Sequence, residues 1–296
     1  MIGFEYNKWS FIYWYFNHDG IEVWNDQKNP VIPSIASLRY WQPRLPIYVI
    51  DVSKKKNIWG DYPRQFGFEV ISQNSVYTDI PRHESKFFGP VSHELLGKTN
   101  DVWFFASKLN SEYYAVLDSD LFWVQNPLPL KGSGTKQFWM SLDTNTGFYY
   151  YHKDASDFIY LWRGLNNLAF WEEEFRKKVC DFTKHEVVQE ESVCGYAMSK
   201  FGKCAIGQYP FEENFATSNY AWPERHKHAA NAKVLHILSK HCPKLNNLVV
   251  AQSVIEIREI MQKMFSEGQY KEIFKDKPLA NVSYKNPLEM KKILML

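Results

Sequence analysis

The chain is poor in cysteine, and its few cysteines are not arranged in pairs. Its 296 residues include four cysteines, at positions 180, 194, 204 and 242. They form neither a Cys-x-x-Cys pair nor the compact spacing of a disulfide framework. We therefore expect reduced, partly buried thiols and a cytoplasmic or cytosol-facing protein.

Long apolar runs and linkers are also missing. The apolar stretch near the start, Trp9 to Phe16, is eight residues long, too short for a secretory signal or a membrane-spanning helix. No Gly/Ser/Pro-rich linker, internal repeat or low-complexity segment divides the chain. We expect a single domain over residues 1–296 without a transmembrane segment. Within it, residues 250–275 are predicted to form a flanking helix with one apolar face.

The chain has little excess of charge. It carries 35 basic and 33 acidic residues, a formal net charge of +2, which argues against a dedicated nucleic-acid-binding protein. Aromatic residues are abundant, at 17% of the chain. Most of these rings are expected to pack in the core.

Two aspartates close the most informative segment. The apolar run Tyr113 to Leu117 is followed at once by Asp118, Ser119 and Asp120. If the run is a buried strand, its period of two directs both carboxylates to the same side at the carboxyl end. Ligands bind at that edge of open α/β sheets. Paired carboxylates there suit a Mg²⁺ or Mn²⁺ ion that also holds a diphosphate.

The rest of the chain alternates between predicted strands and helices. This alternation predicts an α/β fold in which parallel strands are joined by helices. The predicted strands are 11–16, 46–51, 68–71, 138–142 and 147–151, and the predicted helices are 33–41, 102–109 and 251–274.

Three blocks together resemble a known family. The Asp118-Ser119-Asp120 block resembles the metal-binding Asp-x-Asp of GT-A-fold glycosyltransferases. Two later blocks stand in the family's order: Asp143 to Tyr151, a small-residue turn before an apolar strand, and Val234 to Lys240, a late strand with a histidine. The resemblance covers about residues 10 to 245. It implies a GT-A-type Rossmann-like domain, with a mixed, mostly parallel central sheet flanked by helices.

The resemblance assigns a metal site and a donor site. Asp118, Asp120 and His236 would bind Mn²⁺ or Mg²⁺, with Asp120 binding most directly. The remaining donor-binding residues are predicted to contact the base, the donor sugar or the phosphates. They are Tyr15, Phe16, Asn17, Asp118, Ser119, Asn145, Thr146, Gly147 and Lys240.

A catalytic acid is expected near the start of a helix. Glu190 and Glu191 precede apolar residues and would open that helix. In the family, an acidic residue at such a helix start contacts the donor hexose or lies near the anomeric carbon. The sequence leaves both glutamates open, with Glu191 favoured, and Asp143 is a third candidate.

We therefore predict a metal-dependent glycosyltransferase. It would move a sugar from a nucleoside-diphosphate sugar, with UDP favoured over GDP, to a hydroxyl of a glycan or glycosylated protein. The late histidine favours retention of anomeric configuration. The alternatives are a non-catalytic sugar- or nucleotide-binding module of the same fold and an Asp-dependent phosphatase. The latter is weakened by Phe122, since such phosphatases normally carry Thr or Val four residues after the first Asp.

Overall fold

The computed structural model describes most of the chain up to residue 236. The described residues are 8–16, 31–53, 59–77, 79–81, 84–89, 91–119, 121–123, 125–127, 138–141, 145–201, 206–209, 215–216 and 233–236. The predicted helix at 250–275 lies outside them, and it stays a prediction, as does the single-domain organisation.

A mixed sheet forms the centre of the described part. Its strands are β1 (Trp9–Tyr15), β2 (Ile47–Asp51), β3 (Glu69–Ser72), β4 (Tyr113–Leu117), β6 (Phe138–Ser141), β7 (Phe148–His152) and β8 (Ile206–Tyr209). They lie in the order β3-β2-β1-β4-β7-β6-β8. β7 is antiparallel to both of its neighbours, and the other pairs are parallel. The prediction of a mixed, mostly parallel sheet is confirmed.

A smaller sheet and several helices complete the described architecture. The strands of the smaller sheet are β5 (Leu121–Trp123), β9 (Phe215–Ala216) and β10 (Val234–His236), with β10 in the middle. The helices are α1 (Val31–Trp41), α2 (Tyr62–Phe66), α3 (Ser92–Ala106), α4 (Ser156–Trp171), α5 (Glu173–Thr183) and α6 (Glu190–Phe201). In the described part of the chain, no helix is long and apolar enough to cross a membrane.

The main sheet is covered on both faces. One face packs on α3, α4, α5 and α6 in a core that includes Val116 and Trp162. The other packs on α1, α2 and the smaller sheet, in a core that includes Leu117 and Trp123. Because β4 is buried on both faces, it appears in the sequence as a continuous apolar run without polar alternation. This double cover leaves the strand ends as the places where polar side chains meet.

Most predicted elements lie within a few residues of the observed ones, but α3 differs. The apolar pattern predicts a helix over 102–109, whereas α3 begins ten residues earlier, at Ser92, and ends at Ala106. Its first three turns bury polar side chains, among them Glu94, Lys98 and Asp101. Apolar periodicity does not detect a helix face that is buried through hydrogen bonds.

Asp101 shows how these polar side chains are accommodated. Its Oδ2 accepts hydrogen bonds from Trp14 Nε1 at 3.1 Å and Ser75 Oγ at 2.7 Å, and its Oδ1 accepts one from the Val76 amide at 2.9 Å. Burial raises the pKa of Asp101 to about 6, although the three hydrogen bonds act to lower it. The carboxyl group therefore joins α3 to β1 and to the loop after β3.

Candidate active site

The candidate site lies at the carboxyl ends of the parallel strands. Asp118 follows β4 directly, and its amide donates to the carbonyl of Gly147 at 2.8 Å. This contact continues the antiparallel pairing of β4 with β7, in which Leu117 faces Phe148. The Asp118 side chain is 30% exposed, so it lies between the core and solvent. Ser119 is also described, whereas Asp120 lies outside the described residues.

A buried lysine contacts Asp118. Lys98, from α3, places its Nζ 2.5 Å from Asp118 Oδ1 and 3.5 Å from Glu190 Oε1. The same Nζ donates to the carbonyl of Thr146 at 3.2 Å. Burial acts to lower the pKa of Lys98, yet the charges of Asp118 and Glu190 raise it above its ordinary value. Lys98 is therefore a cation that joins three segments of the site.

Glu190 is the carboxylate that reaches this lysine from the first turn of α6. It is buried, and its Oε1 accepts a hydrogen bond from Thr146 Oγ1 at 3.0 Å. Its backbone carbonyl accepts from Trp162 Nε1 at 3.1 Å, which fixes the start of α6. Burial raises the pKa of Glu190, the Asp118 charge adds to the rise, and Lys98 opposes it. Glu191 is more exposed than Glu190.

His236 approaches the same place from the smaller sheet. Its ring is buried, and Nδ1 lies 3.0 Å from Asn145 Oδ1. A carboxamide oxygen only accepts hydrogen bonds, so this contact assigns the proton to Nδ1 and leaves the lone pair on Nε2. Nε2 lies 3.8 Å from Asp118 Oδ2. The imidazole and carboxylate therefore point toward each other.

Gly147 provides the space for this histidine. A Cβ atom at position 147 would lie 2.1 Å from His236 Cε1 and 2.4 Å from Nδ1. Asn145 Oδ1 also accepts the Gly147 amide at 2.9 Å, which closes a tight turn. Within the chain, it is therefore the His236 ring that makes the close approach to Gly147; the predicted role of Gly147 in donor binding stays a prediction.

Two of the three predicted metal ligands, Asp118 and His236, lie close enough to each other to share one ion. One ion bound at about 2.1 Å by two atoms requires them to lie within about 4.2 Å of each other, and His236 Nε2 and Asp118 Oδ2 satisfy this. A neutral imidazole nitrogen and a carboxylate oxygen are ligands that Mn²⁺ accepts. Among the described residues there is no group of three His, Cys, Asp or Glu side chains that could hold a metal. The predicted third ligand, Asp120, lies outside the described residues.

The predicted base site is described in part. Tyr13 pairs with Leu117, so Tyr15 lies at the level of Ser119 on the neighbouring strand. Tyr15 is buried, with its ring edge-on to Trp59 at 5.2 Å between centroids, and Phe16 is half-buried. The predicted residues Asn17, Asp143 and Lys240 lie outside the described residues, so their roles stay predictions.

Lys98 is the member of the cluster that sequence reasoning does not identify. It lies 20 residues before Asp118, in the part of α3 without an apolar pattern. The usable signal is the polar stretch Lys98 to Asp101, which directly precedes the apolar residues that end α3.

No protein-family model and no curated protein sequence matches this chain. Solved structures do match. Mouse xyloside xylosyltransferase 1 superposes with a TM-score of 0.51 at 10% identity, over 79% of this chain and 98% of that one. The chain has the GT-A glycosyltransferase fold.

Two further structures match with lower scores. The glycosyltransferase GlyE of Streptococcus pneumoniae TIGR4 has a TM-score of 0.45 at 15% identity, over 92% of this chain and 65% of that one. The galactosyltransferase LgtC, solved with donor and acceptor sugar analogues, has a TM-score of 0.45 at 11% identity, over 77% of this chain and 86% of that one. The chain thus spans 65% of the length of the pneumococcal protein.

Proposed function

We propose that this protein is a metal-dependent glycosyltransferase that uses a nucleoside-diphosphate sugar, with UDP preferred over GDP. The acceptor would be a hydroxyl of a glycan or glycosylated protein. The observation that carries the proposal is the convergence of Asp118, Lys98, Glu190 and His236 at the carboxyl edge of a sheet with the GT-A fold. This edge is where open α/β sheets bind their ligands.

The charge of the cluster supports the need for a divalent ion. When both carboxyl groups are ionised, the single charge of Lys98 faces the two charges of Asp118 and Glu190. A diphosphate brought to such a site meets net negative charge, which is unfavourable in a partly buried place. Asp118 and His236, with Asp120 as the predicted third ligand, would hold Mn²⁺ or Mg²⁺. When bound, the ion neutralises charge that develops on the leaving diphosphate.

The chain's own residues would prepare the site for that reaction. Lys98 holds Oδ1 of Asp118, so that Oδ2 faces His236. Asn145 fixes the imidazole in the tautomer whose Nε2 is free of a proton. These contacts exist before any donor binds, so little reorganisation is needed on binding.

The proposed transfer breaks the bond between the anomeric carbon and the diphosphate oxygen. A bond forms from that carbon to the acceptor oxygen, and the proton of the acceptor hydroxyl passes to a carboxylate or to the departing diphosphate. Glu190, Glu191 and Asp143 are the candidate carboxylates beside the anomeric carbon. The contacts of Glu190 with Lys98 and Thr146 favour it over Glu191 for a place in the site.

The test is release of nucleoside diphosphate from a panel of UDP- and GDP-sugars, with Mn²⁺ or with excess chelator. We expect turnover with a UDP-sugar, its loss on chelation and its return with Mn²⁺. Asp118→Asn and Asp120→Asn should each lower kcat/KM by roughly 10²-fold or more, since charge stabilisation of a leaving group is typically worth several kcal/mol. Glu174→Gln, which neutralises an exposed carboxylate on α5, is the matched control.

The outcomes separate the alternatives. Full activity in excess chelator would contradict the role of the metal. Binding of a UDP-sugar without turnover, under every ion and acceptor condition, would favour the non-catalytic module. Wild-type activity in both Asp variants would show that the carboxylates are structural.

A further inference from the structure

A cavity of about 310 Å³ opens at the opposite end of the main sheet from Asp118. It lies between the last turn of α3, the loop that leads to β4, the turn after β7 and the start of α4. β4 begins beside this cavity at Tyr113 and ends next to Asp118. Five extended residues span about 16 Å, so the cavity is separate from the candidate active site.

Two aromatic rings form one wall of the cavity. Trp103 on α3 and Tyr160 on α4 have ring centroids 5.7 Å apart, and Tyr160 is 52% exposed. The Arg163 guanidinium lies 3.8 Å from the Trp103 ring centroid and 5.6 Å from that of Tyr160. Arg163 Nε in turn donates to Asn100 Oδ1 at 2.9 Å. This cation–π contact holds the rings in place before a ligand arrives.

Two buried tyrosines line the interior. The rings of Tyr114 and Tyr151 lie 5.3 Å apart. The Tyr114 hydroxyl contacts the carbonyls of Leu109 and Ser111 at 3.2 and 3.1 Å. These contacts tie the α3–β4 loop to the sheet, so the cavity has a fixed floor as well as a fixed wall.

The rest of the lining combines polar side chains with four apolar ones, Ala106, Leu109, Ala155 and Ile159. Asn110 and Ser111 come from the loop before β4, and Lys153 and Asp154 come from the turn after β7. Lys153 and Asp154 balance each other in charge, and the neighbouring Arg163 guanidinium is engaged by the Trp103 ring and by Asn100. A lipid tail would leave these polar groups without hydrogen bonds, at an energetic cost.

We propose that this cavity binds a neutral saccharide of one or two units. A pyranose has an apolar face of C–H groups that can pack on the Trp103 and Tyr160 rings, and hydroxyls around its edge that can hydrogen-bond the polar groups of the lining. The volume is at the small end of ligand pockets, which fits a short ligand. The proposal depends on the chemistry of the cavity alone and holds whether or not the chain transfers sugar.

The test is saturation-transfer NMR on the full chain with neutral disaccharides (lactose, cellobiose and xylobiose) at millimolar concentration. Glucuronic acid and glucosamine serve as charged controls. We expect transfer to at least one neutral disaccharide and none to the charged sugars. Tyr160→Ala should weaken binding about tenfold, the upper range for loss of one aromatic contact, whereas Tyr160→Phe should keep it. Phe182→Ala, at a ring 51% exposed on α5, should have no effect.

A second variant covers the case in which Tyr160→Ala does not fold. Asn110→Ala, at an exposed loop residue, removes one polar group of the rim and should also weaken binding. Absence of transfer to all three disaccharides overturns the proposal. Equal binding of charged sugars overturns it as well, because the cavity would then not select neutral ligands. Displacement by UDP, or unchanged binding in the Tyr160→Ala and Asn110→Ala variants, also overturns it, because binding would then lie elsewhere.

Discussion

Replacing Lys98 by methionine tests the charge balance of the site. Methionine keeps an unbranched chain of similar length but removes the ammonium group that contacts Asp118 and Glu190. The Lys98 side chain is 1% exposed and that of Glu190 is 6% exposed. Water therefore cannot replace the lost cation at Glu190, and the variant buries a carboxylate without its counter-charge.

The magnitude follows from this burial. Removing one partner of a buried ion pair typically costs 3–5 kcal/mol. Asp118 is 30% exposed, so solvent screens its share of the loss. We expect the variant to lose about 3 kcal/mol of unfolding free energy at pH 8, the lower end of that range.

The loss should depend on pH in a defined direction. Burial raises the pKa of Glu190 in the folded protein, and removing Lys98 removes a group that lowers it. A carboxyl group whose folded pKa is raised favours folding while it is protonated, and this contribution is lost as pH rises through the folded pKa. The defect of Lys98→Met should therefore be smaller at pH 5 than at pH 8.

The assay is urea unfolding at both pH values, compared with Lys177→Met, which removes an exposed lysine on α5. At pH 8 the midpoint of Lys98→Met should fall by about 1 M urea, whereas the control should stay within about 0.5 kcal/mol of wild type. Adding Glu190→Gln to Lys98→Met should recover part of the loss. The reasoning is refuted if Lys98→Met is as stable as the control, or if its loss is the same at both pH values.

Three other variants test single features. His236→Ala should raise the Mn²⁺ concentration needed for half-maximal transfer without unfolding the chain; a lower melting temperature with an unchanged Mn²⁺ titration would make His236 structural. Gly147→Ala should cost about 1–3 kcal/mol through overpacking, because its Cβ would lie 2.1 Å from His236 Cε1; a melting curve equal to wild type contradicts this. Asp101 favours folding when protonated, and this contribution is lost as pH rises from 3.8 through about 6. Relative to wild type, Asp101→Asn should therefore gain about 2 kcal/mol between pH 4 and pH 7, and an unchanged difference contradicts the raised pKa.

The sheet and part of the site are predictable because they follow from apolar pattern and order. The run Tyr113 to Leu117 becomes β4, and Asp118 lies at its carboxyl end as expected. Val234 and His236 form a late strand. In each case the sequence signal is local, since an apolar run that ends in a polar residue marks a strand end.

Other features depend on distant contacts that a sequence pattern does not contain. Lys98 is buried only because Asp118 and Glu190 compensate its charge from two other elements. The sequence treats Glu190 and Glu191 alike, and the geometry of the first turn of α6 directs Glu190 to Lys98. Asp101 is buried by donors from β1 and from the loop after β3. Such polar burial requires knowledge of the partners, which lie twenty or more residues away.

The position of His236 in the chain has a consequence for biosynthesis. Asp118 precedes it by 118 residues, and ribosomes add roughly 5–20 residues each second. Lys98, Asp118 and Glu190 therefore leave the ribosome several seconds before the imidazole that faces Asp118. During that interval Lys98 is a cation that can pair with the Asp118 carboxylate. The nascent chain thus carries its own counter-ion before His236 is made.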